Sequence, residues 1–251
     1  MRIFITGAGS GLGAALARRY GAAGATLGLL GRRQAALEET AQGMDARLYR
    51  ADVGDAAAVA EAARDFIARA GCPHIVIAAA GISVGALAEE EDDLEVFRAT
   101  LVTNVMGVLH TFQPFIAPMR DAGGGCLCGI ASVAAMRGLP GGGAYSASKA
   151  ALITCLESLR LELAPAGIGV VTVSPGYIDT PMTRVNRYAM PFRMSAPQAA
   201  QKVAQAIARR RRHVVIPWQM AAVAQLLRCM PDVLYDRLFA GAPRKPRGLP
   251  L

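Results

Sequence analysis

Short apolar runs alternate with helical patterns through most of the chain. The run from His74 to Ala79 has no polar alternation, which is typical of a central parallel strand buried on both faces. Strands that alternate with helices predict an α/β fold, a doubly wound parallel sheet with right-handed crossovers. The runs predicted as strands are Arg2–Thr6, Ala25–Leu30, Arg47–Ala51, His74–Ala79, Gly125–Ile130, Gly169–Val173 and Val214–Ile216.

Stretches with helical periodicity separate these runs. They follow Gly13, cover Gln34–Gln42, Ala56–Ala70, Asp92–Phe115 and residues 144–163, and begin again after Ser195, the expected N-cap. No linker, repeat or low-complexity tract divides the 251 residues, so we expect a single domain over residues 1–217. Residues 218–251 are predicted as a C-terminal extension of that domain, made of two amphipathic helices at Trp218–Met230 and after Pro231.

Composition describes a globular chain, with 53% hydrophobic and 18% charged residues. A strand-like run begins at Ile3, which leaves no room for a signal peptide, and no apolar run reaches the length of about 18 residues that spans a bilayer. We therefore expect a cytoplasmic protein. Five scattered cysteines and three scattered histidines predict reduced, mostly buried thiols and no metal site.

The basic character of the chain is concentrated at its end. Nine of the Lys and Arg residues and only two Asp lie from Arg209 onward, although the whole chain has a net charge of +8. Apolar helices flanked by arginines can lie on an anionic membrane surface, cover the mouth of a substrate site or pack against another subunit. These alternatives stay open, so membrane association is retained beside the cytoplasmic location. Nothing resembles a reading helix or a base-stacking platform, which argues against nucleic acid.

A glycine-rich turn follows the first strand directly. Its residues are Thr6, Gly7, Ala8, Gly9, Ser10, Gly11, Leu12 and Gly13. A turn of this kind between a strand and a helix holds a pyrophosphate, since glycine lets the backbone approach the anion and the helix N-terminus offers free N–H donors. The plain alternative is a tight turn with no ligand.

The second strand ends in Gly31, Arg32 and Arg33. Folds that prefer NAD place a carboxylate near this point for the ribose 2′-hydroxyl, whereas arginine suits a 2′-phosphate. The missing carboxylate and the two arginines therefore favour NADP(H) over NAD(H). Solvated arginines at a helix start are the alternative, although positive charge is poorly placed there.

Other polar or close-approach positions also fall just past strand ends, at the edge where open parallel sheets bind ligands. Asp52, followed by Val53, could accept from an adenine amino group, and Ala79-Ala80-Gly81 could lie beneath a cofactor. A fifth strand delivers Ser132, and a sixth leads into Pro175, Gly176, Ile178 and Thr180. Asn104, set among apolar residues in the Asp92–Phe115 helix, is equally compatible with a satisfied core amide and a functional one.

Tyr145 and Lys149 stand four residues apart at the start of a predicted helix, so both side chains should project into one site. An ammonium near a phenol lowers the pKa of the phenol, which would make Tyr145 a usable proton donor and acceptor. A glycine-rich loop between Ser132 and Tyr145 can fold back to bring the two hydroxyls together. Alone, the Tyr-x-x-x-Lys spacing is only suggestive.

Over roughly residues 1–217 the chain resembles the short-chain dehydrogenase/reductase family. The pieces that match are Thr6-Gly7-x-x-x-Gly11-x-Gly13, Asp52-Val53, Asn104-Val105-x-Gly107, Ser132, Tyr145-Ser146-Ala147-Ser148-Lys149 and Pro175-Gly176-x-x-x-Thr180. The resemblance implies a Rossmann fold, a nicotinamide cofactor and a homodimer or homotetramer. The chain departs from the family at Ala78-Ala79-Ala80-Gly81, where the family usually has Asn-Asn-Ala-Gly.

The resemblance also implies roles for four residues. Tyr145 would be the general acid/base and Ser132 would orient the carbonyl or hydroxyl of the substrate. Lys149 would lower the pKa of Tyr145 and hold the nicotinamide ribose, and Asn104 would support a relay water behind Lys149. Gly31 falls where NAD-preferring members keep an aspartate, and Arg32 at the neighbouring position linked to NADP.

These observations predict an NADP(H)-dependent oxidoreductase that interconverts a ketone and a secondary alcohol. Residues Pro181–Met194 fall where the family keeps a mobile lid, and their methionines and aromatic residues suit a hydrophobic, acyl-chain or lipid-like substrate. A surface loop that packs its own apolar residues is the alternative for this segment. For the whole chain, the alternatives are a catalytically silent nucleotide-binding scaffold with a recruiting tail, and an epimerase or dehydratase, which usually needs a longer substrate domain.

Overall fold

A seven-stranded parallel sheet forms the centre of the protein in the computed structural model, which describes residues 1–186 and 188–248. Its order is β3-β2-β1-β4-β5-β6-β9, and a separate two-stranded sheet pairs β7 with β8. The predicted doubly wound α/β fold is therefore confirmed. The strands are β1 (Arg2–Thr6), β2 (Thr26–Gly31), β3 (Ala46–Arg50), β4 (Ile75–Ala78), β5 (Gly125–Ile130), β6 (Ile168–Pro175), β7 (Ile178–Asp179), β8 (Met194–Ser195) and β9 (His213–Ile216).

Helices cover both faces of the large sheet. Three short 3₁₀ turns lie between the longer elements. They cover Glu91–Asp93, Val133–Ala135 directly after Ser132, and Ala164–Ala166. The α-helices are α1 (Gly11–Ala22), α2 (Gln34–Ala41), α3 (Ala56–Ala70), α4 (Leu94–Leu101), α5 (Gly107–Asp121), α6 (Gly143–Leu163), α7 (Pro181–Arg184), α8 (Ala196–Ala208), α9 (Trp218–Cys229) and α10 (Asp232–Phe239).

Side-chain alternation along the strands divides the core between these two helical layers. Ile3 and Ile5 of β1 face the layer that contains α1 and α8, while Phe4 faces the layer of α3, α5 and α6. The Phe4 ring lies 5.6 Å from Phe66 and 4.9 Å from Phe115, measured between centroids. Burial on both faces explains why the central strands read as continuous apolar runs.

The strand order reverses between β1 and β4, whose carboxyl ends are neighbours. Thr6 pairs with Ala78, and Ala78 pairs in turn with Gly129 near the end of β5. In an open parallel sheet this reversal leaves a crevice at the carboxyl edge. The loops after β1, β4 and β5, which contain Gly7, Gly81 and Ser132, therefore meet at one place.

The continuous helix predicted over Asp92–Phe115 is wrong in detail. A π-helical turn at Val102–Met106 separates α4 from α5, and α5 continues six residues beyond the predicted end. A π turn holds one extra residue, and such turns are frequent at functional sites. The apolar period alone could not reveal it, because the pattern resumes on the same face after the turn.

The C-terminal helices exist, but their predicted apolar faces are only partly covered. Met220 and Ala224 are the buried residues of α9, while Trp218 stays 73% exposed. In α10 the buried residue is Tyr235, and Val233 on the predicted apolar face is 78% exposed. The division of the chain at residue 217 stays a prediction.

Three expectations from composition can be compared with the structure. Of the five free thiols, Cys126 and Cys128 are buried, Cys72 and Cys155 are half-buried and Cys229 is exposed, so "mostly buried" was too strong. Within residues 1–186 and 188–248, every helix is too short or too polar to cross a bilayer. The same residues contain no group of three or more His, Cys, Asp or Glu side chains arranged to hold a metal ion.

Gly28 in the middle of β2 has no room for a side chain. A Cβ added there would lie 2.5 Å from Phe4 Cδ2 and 2.8 Å from Phe66 Cδ2, and both rings are fully buried. Because overpacking of a tight core costs about 1–3 kcal/mol, Gly28→Ala should lower the free energy of unfolding by that amount in urea denaturation.

Gly241→Ala is the matched control for this prediction, because nothing lies within 4 Å of a Cβ at Gly241. Its free energy of unfolding should stay within about 0.5 kcal/mol of that of the wild type. Equal stability of the two variants would show that the aromatic cluster can yield and that the core is not close-packed at this point.

Candidate active site

The glycine turn after β1 is pressed against the segment that follows β4. Gly7 has φ of +69°, and a Cβ added to it would lie 2.6 Å from the backbone nitrogen of Ala80. Ser10, the N-cap of α1, makes no side-chain capping bond, and the first turn of α1 contains no acidic residue. This helix N-terminus therefore keeps the donors and the dipole that an anion needs.

Two cavities adjoin along this edge of the sheet and share Gly7, Ser10, Ala80 and Gly81. One has a volume of about 200 Å³ and also contacts Gly11, Leu12, Gly13, Ala79, Ser132, Tyr145, Lys149, Pro175, Gly176, Ile178 and Thr180. The other has a volume of about 220 Å³ and also contacts Gly9, Arg32, Arg33, Asp52 and Val53.

The two cavities together contact every predicted site residue except Thr6 and Asn104. Both exceptions are fully buried behind the cleft, Thr6 at the end of β1 and Asn104 in the π turn. The Thr6 hydroxyl is buried and has no hydrogen-bond partner among the described residues. The sequence therefore predicted which residues surround the cleft, while their roles stay proposals.

A larger cavity of about 520 Å³ lies elsewhere, between α6 and the β9–α9 region. Its lining includes Arg160, Arg212 and Arg228, and it contacts none of the predicted site residues. Volume alone would place the site there. We favour the cleft at the carboxyl edge, because the convergence of titratable groups, and not size, indicates chemistry.

Ser132, Tyr145 and Lys149 meet at one end of the cleft. Tyr145 and Lys149 project from the first two turns of α6, and the Ser132 hydroxyl lies close enough to the Tyr145 phenol to lower its pKa. Ser132 lies just beyond β5, where its Oγ accepts from the Ala134 backbone N–H at 3.1 Å. Both hydroxyl residues contact the same cavity, while their joint grip on one substrate oxygen stays a prediction.

Lys149 is held by the end of β5 and not by Tyr145 directly. Its ammonium donates to the Ile130 carbonyl at 2.8 Å and lies 5.8 Å from the centroid of the Tyr145 ring. Burial lowers the pKa of Lys149 to about 8, because the charged form loses its hydration. The Ile130 carbonyl, a backbone group with no sequence signature, fixes this ammonium.

The pKa of Tyr145 differs from the expectation. Burial raises the pKa of the phenol above its ordinary value, and the hydrogen bond from Ser132 opposes that rise only in part. The expected lowering by Lys149 is not seen in this structure, because the ammonium is turned toward Ile130. In the protein alone, Tyr145 is therefore a protonated phenol at neutral pH.

Asn104 joins the loop after β4 to α6. Its Oδ1 accepts from the Ile82 N–H at 2.9 Å, and its Nδ2 donates to the Ile82 carbonyl at 2.9 Å and to Ser148 Oγ at 3.0 Å. Ser148 in turn donates to the Tyr145 carbonyl at 2.8 Å. The Asn104 amide therefore has protein partners for its oxygen and its nitrogen, and it connects the loop after β4 to α6. Its support of a relay water stays a prediction.

Ser148 is the site residue whose importance the sequence did not reveal. It is fully buried and lies three residues after Tyr145. Its hydroxyl accepts from the Asn104 amide and donates to the Tyr145 carbonyl, so it connects Asn104 to α6. The one available signal was a small polar residue between Tyr145 and Lys149, a signal that Ser146 shares.

At the far end of the cleft, Arg32 and Asp52 face each other with 3.8 Å between Nη1 and Oδ2. Both side chains are about half exposed, so this pair adds little stability. Asp52 Oδ1 also accepts from the Gly54 N–H at 2.8 Å. The expected bond from Asp52 to an adenine stays a prediction, and one oxygen of this carboxylate is already engaged.

Part of the predicted lid lies beside the reactive end. Pro181, Met182 and Thr183 of α7 contact the same cavity as Tyr145. The segment returns to the fold at β8, which pairs with β7. Phe192 is half-exposed, and Arg187 of the predicted lid lies outside the described residues.

Comparison with known proteins agrees with this geometry. The family model described as short chain dehydrogenase matches residues 1–190. An uncharacterized oxidoreductase from Myxococcus xanthus is 35% identical, covering 92% of this chain and 93% of its own. A short chain dehydrogenase from Burkholderia cenocepacia, solved in complex with NADP, has a TM-score of 0.82 and 29% identity, covering 94% of this chain and 96% of its own.

A second solved structure is titled a 3-ketoacyl-ACP reductase, from Sinorhizobium meliloti. It has a TM-score of 0.75 and 30% identity, covering 86% of this chain and 94% of its own. The resemblance drawn from the motifs is thereby confirmed over most of the chain, together with its oxidoreductase class. This protein belongs to the short-chain dehydrogenase/reductase family.

Proposed function

We propose that this protein is an NADP(H)-dependent oxidoreductase that interconverts a ketone and a secondary alcohol on a hydrophobic substrate. One observation supports the proposal above all. Ser132 and Tyr145 lie together at one end of a cleft whose other end reaches Arg32 and Arg33. Two aimed hydroxyl donors are what a carbonyl oxygen needs when negative charge develops on it.

The residues of the cleft fit a dinucleotide. Gly7 lets the turn pack directly against the Ala80 backbone, and the donors at the start of α1 are free for a pyrophosphate. The cavities on either side of this turn provide separate places for the two halves of an extended ligand. Such a cofactor, when bound, donates or accepts a hydride at its nicotinamide ring.

Tyr145 supplies the proton in this proposal. Burial keeps the phenol protonated at neutral pH, so it can donate to a carbonyl oxygen that becomes an alcohol. Ser132 donates to the same oxygen and fixes its position. In the reverse reaction the phenolate of Tyr145 would accept the proton.

The preference for NADP(H) rests on charge. Arg32 and Arg33 contact the second cavity beside Gly31, the position at which a carboxylate would repel a phosphate. Guanidinium groups match phosphate with two parallel hydrogen bonds. The related structure from Burkholderia cenocepacia was solved with NADP, which supports the same preference here.

A hydrophobic substrate follows from the surroundings of Tyr145. Met182 on α7 contacts the reactive cavity, and Met194 is buried where the lid returns to the fold. Methionine adapts to apolar ligands of varied shape. The name of the Sinorhizobium meliloti structure, a ketoacyl reductase, supports an acyl chain as the apolar body. A homodimer or homotetramer and contact of the tail with a membrane surface stay predictions.

Tyr145→Phe tests the proton transfer. The change removes only the hydroxyl, so kcat for NADPH oxidation with aliphatic ketones or 3-oxoacyl thioesters should fall by about 10²- to 10⁴-fold. The Kd for NADPH, measured by fluorescence titration, should stay within about threefold of the wild-type value because ground-state binding is kept.

Tyr49→Phe serves as the control, since that hydroxyl bonds Asp65 at 2.9 Å in the opposite part of the sheet. Its kcat should match the wild type. If Tyr145→Phe keeps most of its turnover, Tyr145 is not the general acid. If none of the ketones or thioesters tested supports NADPH oxidation by the wild-type protein, the silent-scaffold alternative is favoured.

Arg32→Gln and Arg33→Gln test the cofactor preference. Loss of a charge-assisted bond to the 2′-phosphate should weaken NADPH binding by about 10- to 100-fold in at least one of the variants. NADH binding should change by less than about threefold, since NADH lacks that phosphate.

Arg64→Gln on the exposed side of α3 is the control for these arginine variants, because it lowers the net charge equally. A parallel loss of NADPH and NADH affinity in Arg32→Gln and Arg33→Gln would mean that the arginines maintain the loop and do not select the cofactor.

A further inference from the structure

The end of the chain returns to the substrate side of the fold. Residues 244–247 lie against the loop of residues 82–93, which follows β4. The Gly85 N–H donates to the Pro246 carbonyl at 3.0 Å, and Arg247 pairs with Asp93 at 2.7 Å and with Glu90 at 3.2 Å. Asp93 is nearly buried, with 8% of its side chain exposed, so this ion pair anchors the tail firmly.

The same C-terminal region holds the loop of residues 136–142, which leads into Tyr145. The Tyr235 hydroxyl of α10 donates to the Gly138 carbonyl at 2.8 Å, and Arg137 pairs with Asp232 at 2.9 Å. Arg244 packs over Gly141, since a Cβ added to that glycine would lie 3.0 Å from Arg244 Cβ. The C-terminal segment, residues 232–247, therefore bridges the two loops.

These two loops also contact each other. The Ala86 N–H donates to the Gly141 carbonyl at 3.0 Å, and Ala86 forms an isolated parallel bridge with Gly142. One loop begins directly after Gly81 and the other ends three residues before Tyr145. Both loops are thus joined to residues of the reactive end of the cleft, and the C-terminal segment holds the two loops together.

Lys245 of this segment is a partly buried cation. Its ammonium is half-buried and donates to Ser83 Oγ at 2.7 Å. No carboxylate of residues 1–186 or 188–248 forms an ion pair with it, whereas its neighbour Arg247 has two. Burial lowers the pKa of Lys245 to about 8. A partly desolvated ammonium with one neutral partner is unfavourable until an anion joins it.

The position of Ser83 places this ammonium near the chemistry. Ser83 is two residues beyond Gly81, and a Cβ at Gly81 would lie 3.6 Å from Lys149 Nζ. Two residues span at most about 7 Å, so Ser83, to which the Lys245 ammonium is bonded, lies within that distance of Gly81 beside Lys149.

We propose that Lys245 is a specificity-determining residue that binds an anionic group on the substrate. This inference rests on the proposed ketone–alcohol function and adds the substrate class: an apolar body with the reacting carbonyl toward Tyr145 and an anion toward Lys245. The anion is either the substrate's own carboxylate or the phosphate of a thioester carrier, which share the same chemistry toward an ammonium.

The test compares substrates with and without the anion. Straight-chain oxo acids are paired with their methyl esters, and 3-oxoacyl thioesters of pantetheine 4′-phosphate with those of pantetheine. In Lys245→Met, kcat/KM should fall by about 10- to 100-fold for the anionic member of at least one pair and by less than about threefold for its neutral partner. The pair that responds identifies the carboxylate or the phosphate.

Three variants make this comparison decisive. Lys245→Arg keeps the charge and should recover much of the anionic activity. Lys202→Met removes an exposed lysine of α8 and should have no effect on either member. Arg247→Gln loosens the anchored tail and should affect both members of a pair equally. If Lys245→Met also lowers both members equally, Lys245 only fastens the loop and the proposal is overturned.

A measurement without turnover separates this inference from the proposed function. The chain has three lysines, so acetylation of each by acetic anhydride can be followed by peptide mass spectrometry. The anionic compounds should slow labelling of Lys245 but not of Lys202, and their neutral partners should slow neither. Protection without NADPH oxidation would sustain the anion site while the reductase proposal fails, and absence of protection by every anionic compound would overturn the anion site.

Discussion

The burial of the Lys149 ammonium is the constraint on which the arrangement of the site depends. This group is 4% exposed, and its one hydrogen bond in the described chain goes to the Ile130 carbonyl at 2.8 Å. A single neutral acceptor does not replace the hydration of a cation, and the lowered pKa of Lys149 reflects that deficit. The surrounding groups must therefore be held firmly, because the ammonium would otherwise draw in water. Asn104 and Ser148 provide that rigidity, since they tie the loop after β4 to the helix that contains Lys149.

The same constraint explains why the reactive pair was predictable from sequence and its electrostatics were not. Spacing along a helix places Tyr145 and Lys149 on one face whatever the rest of the chain does. The pKa of Tyr145 depends instead on where the ammonium points, and a backbone carbonyl at Ile130 decides that direction. Backbone acceptors are present at every residue, so no pattern of side chains reveals which one will be used. For the same reason the sequence could not show that burial, and not attraction to Lys149, dominates the pKa of the phenol.

Fold prediction succeeded where the signal was local and failed where it depended on packing. The central strands were found because burial on both faces leaves a continuous apolar run, as in β4. The π turn around Asn104 was missed because the buried positions Thr100, Asn104, Val108 and Phe112 keep a spacing of four residues, which fits an unbroken α-helix. The face of α9 was assigned from amphipathicity, yet Met220 and Ala224 are buried and Trp218 is exposed. A terminal helix packs against whatever surface it reaches, and helical periodicity does not identify that surface.

The basic C-terminus shows that a charge count leaves the contacts of a segment undetermined. From its composition, the tail is compatible with a solvated face, a membrane surface, a cover over the substrate mouth or an interface with another subunit. In the structure Arg247 is paired with Glu90 and Asp93, and Lys245 is turned inward to Ser83. The apolar contribution of α10 to the core is small, since Tyr235 is its buried residue and uses its hydroxyl to bind the loop before α6. The segment therefore stabilises the loops around the cleft more than it enlarges the core. Exposed apolar residues such as Val233 remain on its outer side, where they are available to a partner without disturbing that attachment.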